Sequence, residues 1–474
     1  MKHLGIIFSV AFLFLFTNIE AQERGSSSPW SKGKLCVSEN NRFLQYENGD
    51  PFFWLGETAW LLPSRSNRDE VGYFMGETTK YGYNVVQISI LHSLNASNAY
   101  GHFALPNGFD FSKIDQPGIY NYWKHVDYIV EQARARGIYI GIVCVWGGSV
   151  KSGSITESDA RKYGKFLAER YKKYPNIIWM IGGDVRGDFH PEVWRAMATT
   201  IKSIAKDHLM TFHPFGRTMS ATWFNDEEWL DFNMFQSGHR RYGQRRGDGD
   251  YTIDDNTEED SWRFVEKSLA IAPLKPVLDG EPSYEHIPQG LHDTTQPFWQ
   301  AHDIRRYAYW SVFAGSFGHT YGHNSIMQMY RPGVSPAYGA KMPWWDAIHD
   351  EGRLQMQYMK KLISVFPFFE RIPAQDVISN QNGTQYDRVI ATRGNDYILV
   401  YNYTNRITEI DLTKISGVKK KAYWFNPRNG ESEFIGELDN GKHSFFHESG
   451  YRASNDWVIV IFDATKNYEL SSIY

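Results

Sequence analysis

The chain has 474 residues, 42% of them hydrophobic and 22% charged, with a formal net charge of −4. That length can bury a large core and hold two domains or more, and that composition is globular, not disordered. A near balance of 50 basic and 54 acidic residues excludes the basic footprint of a nucleic-acid or anionic-membrane binder. Aromatics reach 16%, with 16 Trp and 29 Tyr. These fill a core and also suit the flat apolar faces on which sugar rings pack.

Residues 1–21 have the pattern of an export signal. Lys2 and His3 begin it, Leu4 to Phe16 form an apolar run too short to cross a bilayer, and Ile19-Glu20-Ala21 offers a cleavage site. The mature protein is expected to be exported, periplasmic or secreted, with no membrane segment once the leader is removed, and to be a monomer. Two cysteines, Cys36 and Cys144, imply no disulfide framework, and Cys144 reads as a small core residue.

Residues 22–50 read as a Ser/Gly linker followed by short strands with a turn at Asn48-Gly49. From there strands and helices alternate. Eight apolar segments read as strands, at 51–57, 84–90, 138–146, 176–184, 209–214, 232–238, 276–281 and 315–322. Between them lie helical patterns with start signals: Asn67 with Glu70, Thr156 with Asp159, and Pro191 in a first turn. The fifth unit has only "DEEWLD" where a helix is expected. This is α/β patterning, and eight repeats of it over 51–368 predict a (β/α)₈ TIM-type barrel. Over 369–474 short alternating strands are split by Gly, Asn and Asp turns without a helical period, which predicts an antiparallel β-sandwich.

A barrel of this kind carries its chemistry at the C-terminal ends of its strands. Those ends hold Glu57 with Trp60, Gln87 and His92, Trp146, Asp184, His213, Gln236 with His239, Glu281, and His319 with Tyr321. Asp184 and Glu281 are the last residues of the fourth and seventh segments, which lie across a barrel mouth from each other. Period-two alternation puts Glu281 on one face with Val277 and Asp279, and Asp184 on one face with Ile178, Met180 and Gly182. Two facing carboxyls are the equipment of glycoside hydrolysis, one donating a proton to the leaving oxygen and the other acting at the anomeric carbon. Asp184 and Glu281 are therefore the expected catalytic pair, with Asp279 supporting from a deeper layer. Glu57, Trp60, Gln87, His92, Trp146, His213, Gln236, His239, Glu285, His319 and Tyr321 are the expected substrate contacts. Glu285 is also the rival for the nucleophile. The competing local readings are a salt bridge of Asp184 to Arg186 and of Glu281 to Lys275 or His286.

Weaker patterns point elsewhere. His319 and His323 have glycine neighbours that favour a loop, so no metal site and no cofactor is expected. "DGDYTIDDNTEE" approaches calcium-loop spacing but has Ile253 where the turn glycine belongs. Arg240, Arg241, Arg245 and Arg246 could meet an acidic sugar. There is no Ser/His/Asp elbow and no Gly-rich phosphate loop.

At "WLGETAWLL", "GYNVVQISIL", "NIIWMIGGD" and "DGEPSYE" the chain resembles the apiosidase-like glycoside hydrolases, glycoside hydrolase family 140. The tail, with "AYWFNPRNGE" and "DWVIVIFD", looks like the collagen-binding-type β-sandwich that commonly follows this barrel. The resemblance implies a (β/α)₈ fold and action on plant cell-wall polysaccharide. In the best-understood members it implies release of branches at apiose linked to the pectin rhamnogalacturonan-II. It also implies Asp184 as acid/base and Glu281 as nucleophile. The tail departs from the pattern near "FHESGYRASNDW", so the sandwich is expected to be a structural partner of the barrel. The rival readings are a glycosidase of an arabinofuranoside or a β-glucan, a non-catalytic carbohydrate- or matrix-binding protein, and a metal-dependent enzyme that uses the histidines.

Overall fold

The computed structural model describes residues 28–239, 241–243 and 257–470. The export signal at 1–21, Arg240, Arg245, Arg246 and most of the calcium-type loop lie outside them. Cys36 and Cys144 are both free thiols.

Each of the eight predicted strands forms: β1 (Trp54–Thr58), β2 (Val85–Ser89), β3 (Tyr139–Val143), β4 (Ile177–Val185), β5 (Met210–Pro214), β6 (Asn233–Gln236), β7 (Val277–Asp279) and β8 (Gly318–Tyr321). Six of them make one parallel sheet in the order β8-β1-β2-β3-β4-β5, and β6 pairs in parallel with β7. Two seams close the ring. Between β5 and β6, Asp231 N–H donates to Met210 O at 2.9 Å and Thr211 Oγ1 to Phe232 O at 2.7 Å. Between β7 and β8, Phe317 N–H donates to Val277 O at 3.2 Å. Nearly every strand residue is buried, because helices cover one face and the barrel interior the other. That two-sided burial is why the strands read as continuous apolar runs.

The helices start where side chains can satisfy their free N–H groups. Asn67 and Glu70 form a reciprocal capping box before Arg68–Lys80, and Thr156 and Asp159 form one before Glu157–Tyr171. Pro191 opens Pro191–Ile204. In the fifth unit no helix forms over "DEEWLD". A four-residue helix, Ala221–Phe224, and a short strand antiparallel to β6, Thr218–Met219, take its place. The sheet is thus that of a TIM-type barrel with one helix reduced to a turn.

After the helix Glu351–Val365 the chain enters an antiparallel sandwich. Its larger sheet has β9 (Ile372–Pro373), β10 (Val389–Arg393), β11 (Tyr397–Asn402), β13 (Lys419–Phe425), β14 (Ser432–Asp439) and β16 (Trp457–Asp463), ordered β9-β10-β11-β16-β13-β14. The smaller sheet is β12 (Thr408–Asp411) with β15 (Lys442–Phe445). Alternate residues of β11 and β16 go to different cores. Tyr397, Leu399, Tyr401, Val458, Val460 and Phe462 join the barrel's core, while Ile398, Val400, Ile459 and Ile461 belong to the sandwich's own. The helix Ala301–Phe313 is the shared wall. Its Tyr309 ring stacks on Tyr401 at 4.6 Å, and its buried Arg305 forks onto Asp456 at 2.8 and 2.7 Å. Arg306 holds Glu258, which also accepts from Tyr386 Oη at 2.9 Å. No described helix is long and apolar enough to cross a membrane.

Candidate active site

The fourth strand ends in Gly182-Gly183-Asp184, and the two glycines decide how the strand leaves the sheet. Gly182 has φ +90° and Gly183 φ +121°, and a Cβ on Gly182 would come within 2.5 Å of the His213 carbonyl oxygen. They let the strand bulge, so its register with β5 shifts between Gly182 and Val185. Asp184 itself has φ +50°, a left-handed conformation costing on the order of 1 kcal/mol for a non-glycine residue. Its backbone N–H donates to His213 Nδ1 at 3.3 Å. The bulge, and not plain alternation, aims this carboxyl. Arg186, the rival partner, pairs with Asp188.

Glu281 stands two residues beyond β7, on a turn tied to the end of β6. Gly280 N–H donates to Phe235 O at 2.9 Å, Gly238 N–H to Glu281 O at 3.1 Å, and Ser283 Oγ to Gly238 O at 2.8 Å. Asp279 accepts from Ser237 Oγ at 2.6 Å and Ser237 N–H at 3.3 Å, one layer below the mouth as expected. The Glu281 side chain is met by two imidazoles. His239 Nε2 hydrogen-bonds Oε1 at 3.2 Å, and His213 Nε2 lies 3.2 Å from Oε2.

These surroundings drive the two carboxyls apart. Burial, with the Glu281 charge added to it, raises Asp184 to about 6 against the pull of His213 and His239. Burial also opposes the charge on Glu281, but the His213 and His239 contacts outweigh it and bring that group down to about 2. Near pH 5 the first carries a proton and the second a charge. Two carboxyls so divided are an acid and a base in the same site.

Both line one cavity of about 510 Å³ at the C-terminal end of the barrel. Trp60, His92, Trp146, Gln236 and His239 line it too. Trp60 and Trp146 meet edge to face at 5.5 Å, and His92 lies 4.5 Å from Trp146. Burial, with Arg65 nearby, lowers His92 to about 4, so its ring is neutral at ordinary pH. His92 Nδ1, Gln236 Oε1 and His239 Nδ1 are buried without a protein partner among the described residues. Such atoms are costly unless a ligand or water completes them.

Six of the expected contacts stand apart from this cavity. Glu57 is wholly buried and forks with Arg353 at 2.5 and 2.7 Å, so it is half of a buried ion pair. Gln87 is spent on Gly280 O at 2.9 Å and Thr58 Oγ1 at 3.2 Å, beneath the Glu281 turn. His319 is wholly buried in the barrel, where burial lowers its ring to about 3. Tyr321 donates to Glu285 Oε2 at 2.6 Å, and Gly352 N–H to Glu285 Oε1 at 3.0 Å. Glu285 and its neighbours line a separate cavity of about 440 Å³ against the sandwich. His213 lies below the pocket floor and meets Glu281 instead of solvent.

Other residues of the pocket were not foreseen: Tyr284, Tyr338, Arg217 and His292 line it. Tyr284 Oη accepts from Trp60 Nε1 at 3.2 Å, and its ring meets His239 at 4.6 Å. Its signal was present, since it stands in "DGEPSYE". Tyr338 sits at φ +48° on the loop after β8, with its carbonyl held by Asn324 Nδ2 at 2.8 Å. Nothing in "RPGVSPAYGAK" marks it.

Among the described residues one group could surround an ion: His286, His323 and Asp350, with ligand atoms all within 4.8 Å of one another. Ser325 N–H, however, donates to His323 Nδ1 at 2.9 Å. The neutral ring then carries its proton on Nε2, directed at Asp350 Oδ2 at 2.8 Å. A metal-bound histidine uses its second nitrogen as a donor, the reverse of this arrangement. The cluster is a His323–Asp350 hydrogen bond with His286 beside it at 3.3 Å, an arrangement that does not fit a metal.

Comparison with known proteins bears on the family and the fold. The family model of the apiosidase-like catalytic domain matches residues 38–370, and that of a collagenase's collagen-binding domain matches 372–462. A solved structure named as a glycoside hydrolase is 60% identical, with TM-score 0.92, covering 94% of this chain and 100% of its own. A glycoside hydrolase family 5 structure from Bacteroides vulgatus ATCC 8482 is also 60% identical, with TM-score 0.92, covering 94% of this chain and 97% of its own. A third structure, from the same organism, is 13% identical with TM-score 0.64 over 92% of this chain and 84% of its own, and shares the fold alone. No curated protein matches the chain.

Proposed function

The chain belongs to the apiosidase-like glycoside hydrolases, and from that premise we propose that it removes apiose-linked side chains from the pectin rhamnogalacturonan-II, as members of glycoside hydrolase family 140 do. Asp184 gives its proton to the glycosidic oxygen, and the leaving chain departs as an alcohol. The Glu281 carboxylate bonds to the anomeric carbon as the old bond breaks. Asp184, now a base, takes a proton from water, whose oxygen displaces Glu281 and frees the sugar. This is the retaining course. The observation that carries the reading is two carboxyls lining one cavity, with two imidazoles beside Glu281 that favour its charge and burial around Asp184 that favours its proton. Support for retention is the placing of that pair at the ends of strands four and seven. A cavity of about 510 Å³ walled by Trp60 and Trp146 suits a terminal branch better than the middle of a polymer. In this reading the protein works after export, in the periplasm or outside the cell.

The test is sugar release from rhamnogalacturonan-II by the wild type, Asp184→Asn and Glu281→Gln, with the first-formed anomer followed by proton NMR. Apiose-terminated branches from the wild type, with neither variant active, would uphold substrate and site together. An active variant would overturn the site. A silent wild type would send the substrate question to arabinofuranosides and β-glucans, and inversion at the anomeric carbon would remove the covalent step.

A further inference from the structure

We infer that His213 is a positioning residue that holds the two catalytic carboxyls in step, using one ring nitrogen for each. The inference rests on the assignment of Asp184 and Glu281 as the catalytic pair, and goes beyond it by naming what sets their relation. The His213 ring is wholly buried. Trp60 stands edge-on to it at 5.3 Å, and Trp146 lies tilted at 6.4 Å. A ring so enclosed is shut off from the cavity and from solvent.

Its tautomer is fixed from the backbone. The Asp184 N–H occupies Nδ1 at 3.3 Å, so Nδ1 is the acceptor and the neutral ring carries its single proton on Nε2. That nitrogen lies 3.2 Å from Glu281 Oε2. His239 meets the other carboxylate oxygen, but its Nδ1 has no partner among the described residues, so nothing there fixes its proton. Of the two imidazoles, His213 is the one whose tautomer is fixed, with its Nε2 proton on the side of Glu281.

The same ring holds the acid. Asp184 follows a double-glycine bulge with φ +50°, and the hydrogen bond from its N–H to His213 pins that conformation. A shift of the ring would release the Asp184 backbone and withdraw the imidazole from Glu281 together. The groups around this pair are Asp184 from β4, His239 beyond β6, Asp279 and Tyr284 from β7 and its turn, and Tyr338 from the loop after β8.

Three substitutions separate the two arms. His213→Gln places an amide where Nε2 stood and keeps a donor for Glu281. His213→Asn places one where Nδ1 stood and keeps an acceptor for the Asp184 N–H. His213→Phe keeps a ring and removes both. Measured as kcat and KM across pH on a substrate the wild type cleaves, His213→Phe should lose on the order of 100-fold in kcat with little change in KM. Its acidic limb, set by Glu281, should move to higher pH. His213→Gln should return that limb toward the wild-type position, and His213→Asn should not. Equal losses in all three with unmoved limbs would mean a merely structural ring and overturn the inference, as would a wild-type profile in His213→Phe. Asp184→Asn and Glu281→Gln belong in the same series. If either stays active, the carboxylate assignment falls first. If both are inactive while the His213 variants are normal, this inference alone falls. Near-UV circular dichroism on each variant separates loss of folding from loss of function.

Discussion

Glu281 and Glu285 are four residues apart and almost equally hidden, at 6% and 2% exposure, yet they hold protons at opposite ends of the scale. Burial raises Glu285 to about 7, and the Tyr321 hydroxyl and the Gly352 N–H do not offset it, with Asp350 adding a like charge. Burial acts on Glu281 in the same direction, but two imidazoles reverse it to about 2. Glu285 has a donor on each oxygen, while Glu281 is hydrogen-bonded at Oε1 and has the His213 ring 3.2 Å from Oε2. What separates them is that one is flanked by two imidazoles and the other meets a hydroxyl, a backbone N–H and a second carboxylate. A buried carboxylate keeps its charge through the kind of donor it meets, beyond their number.

The sharpest break of that comparison is the paired amide substitution. Glu281→Gln should lower kcat on the order of 10⁴-fold, while Glu285→Gln should stay within about threefold, both read by sugar release. Comparable losses would restore Glu285 as a rival nucleophile. Next in size is Glu57→Gln, which strands a buried Arg353 and should cost about 3–5 kcal/mol in urea unfolding, with normal turnover by the folded fraction. Loss of turnover without loss of stability would return Glu57 to the pocket.

A pH profile of kcat/KM should fall on the alkaline side as Asp184 loses its proton near 6, and on the acidic side only toward 2, where Glu281 gains one. Replacing Asp184 should remove the alkaline limb from any residual activity. The smallest effect concerns Asp279, which burial raises to about 8. A carboxyl whose folded value lies above its unfolded value of 3.8 contributes fully below that lower value, and the contribution is lost as pH rises through the folded one. Asp184 and Glu285 add slopes of the same sign. Asp279→Asn should therefore melt closer to the wild type in acid and above it in alkali, by thermal scans at each pH. Parallel curves would mean that Asp279 does not titrate.

The barrel was legible because each strand is buried on both faces and several helices start with a cap that sequence shows, as at Asn67 and Thr156. The fifth helix was not, since four residues from Ala221 leave no period to read. Asp184 and Glu281 were found because height along a strand is visible as position in a run. Direction is less visible. Glu57, Gln87, His319 and Tyr321 sit at the right height, but their side chains are spent in the barrel wall or on buried partners. Glu285 turns to the opposite side of its loop. The Gly182–Gly183 bulge, which sets the aim of Asp184, arises from a close approach to His213 that only the fold creates. Tyr338 comes from a loop whose path depends on Asn324, far from any pattern of its own.

The division of β11 and β16 between two cores has a consequence for how the molecule breaks. Cutting the chain after the last barrel helix would strip Tyr401, Val458, Val460 and Phe462 from their seat, leave the Ala301–Phe313 helix wet along its apolar side, and remove Asp456 from a buried Arg305. Neither fragment would be a finished object. The tail is thus less an appendage carried by an enzyme than the enzyme's missing outer wall. Heat should take both parts down in one transition, and a protease should find no clean seam between them.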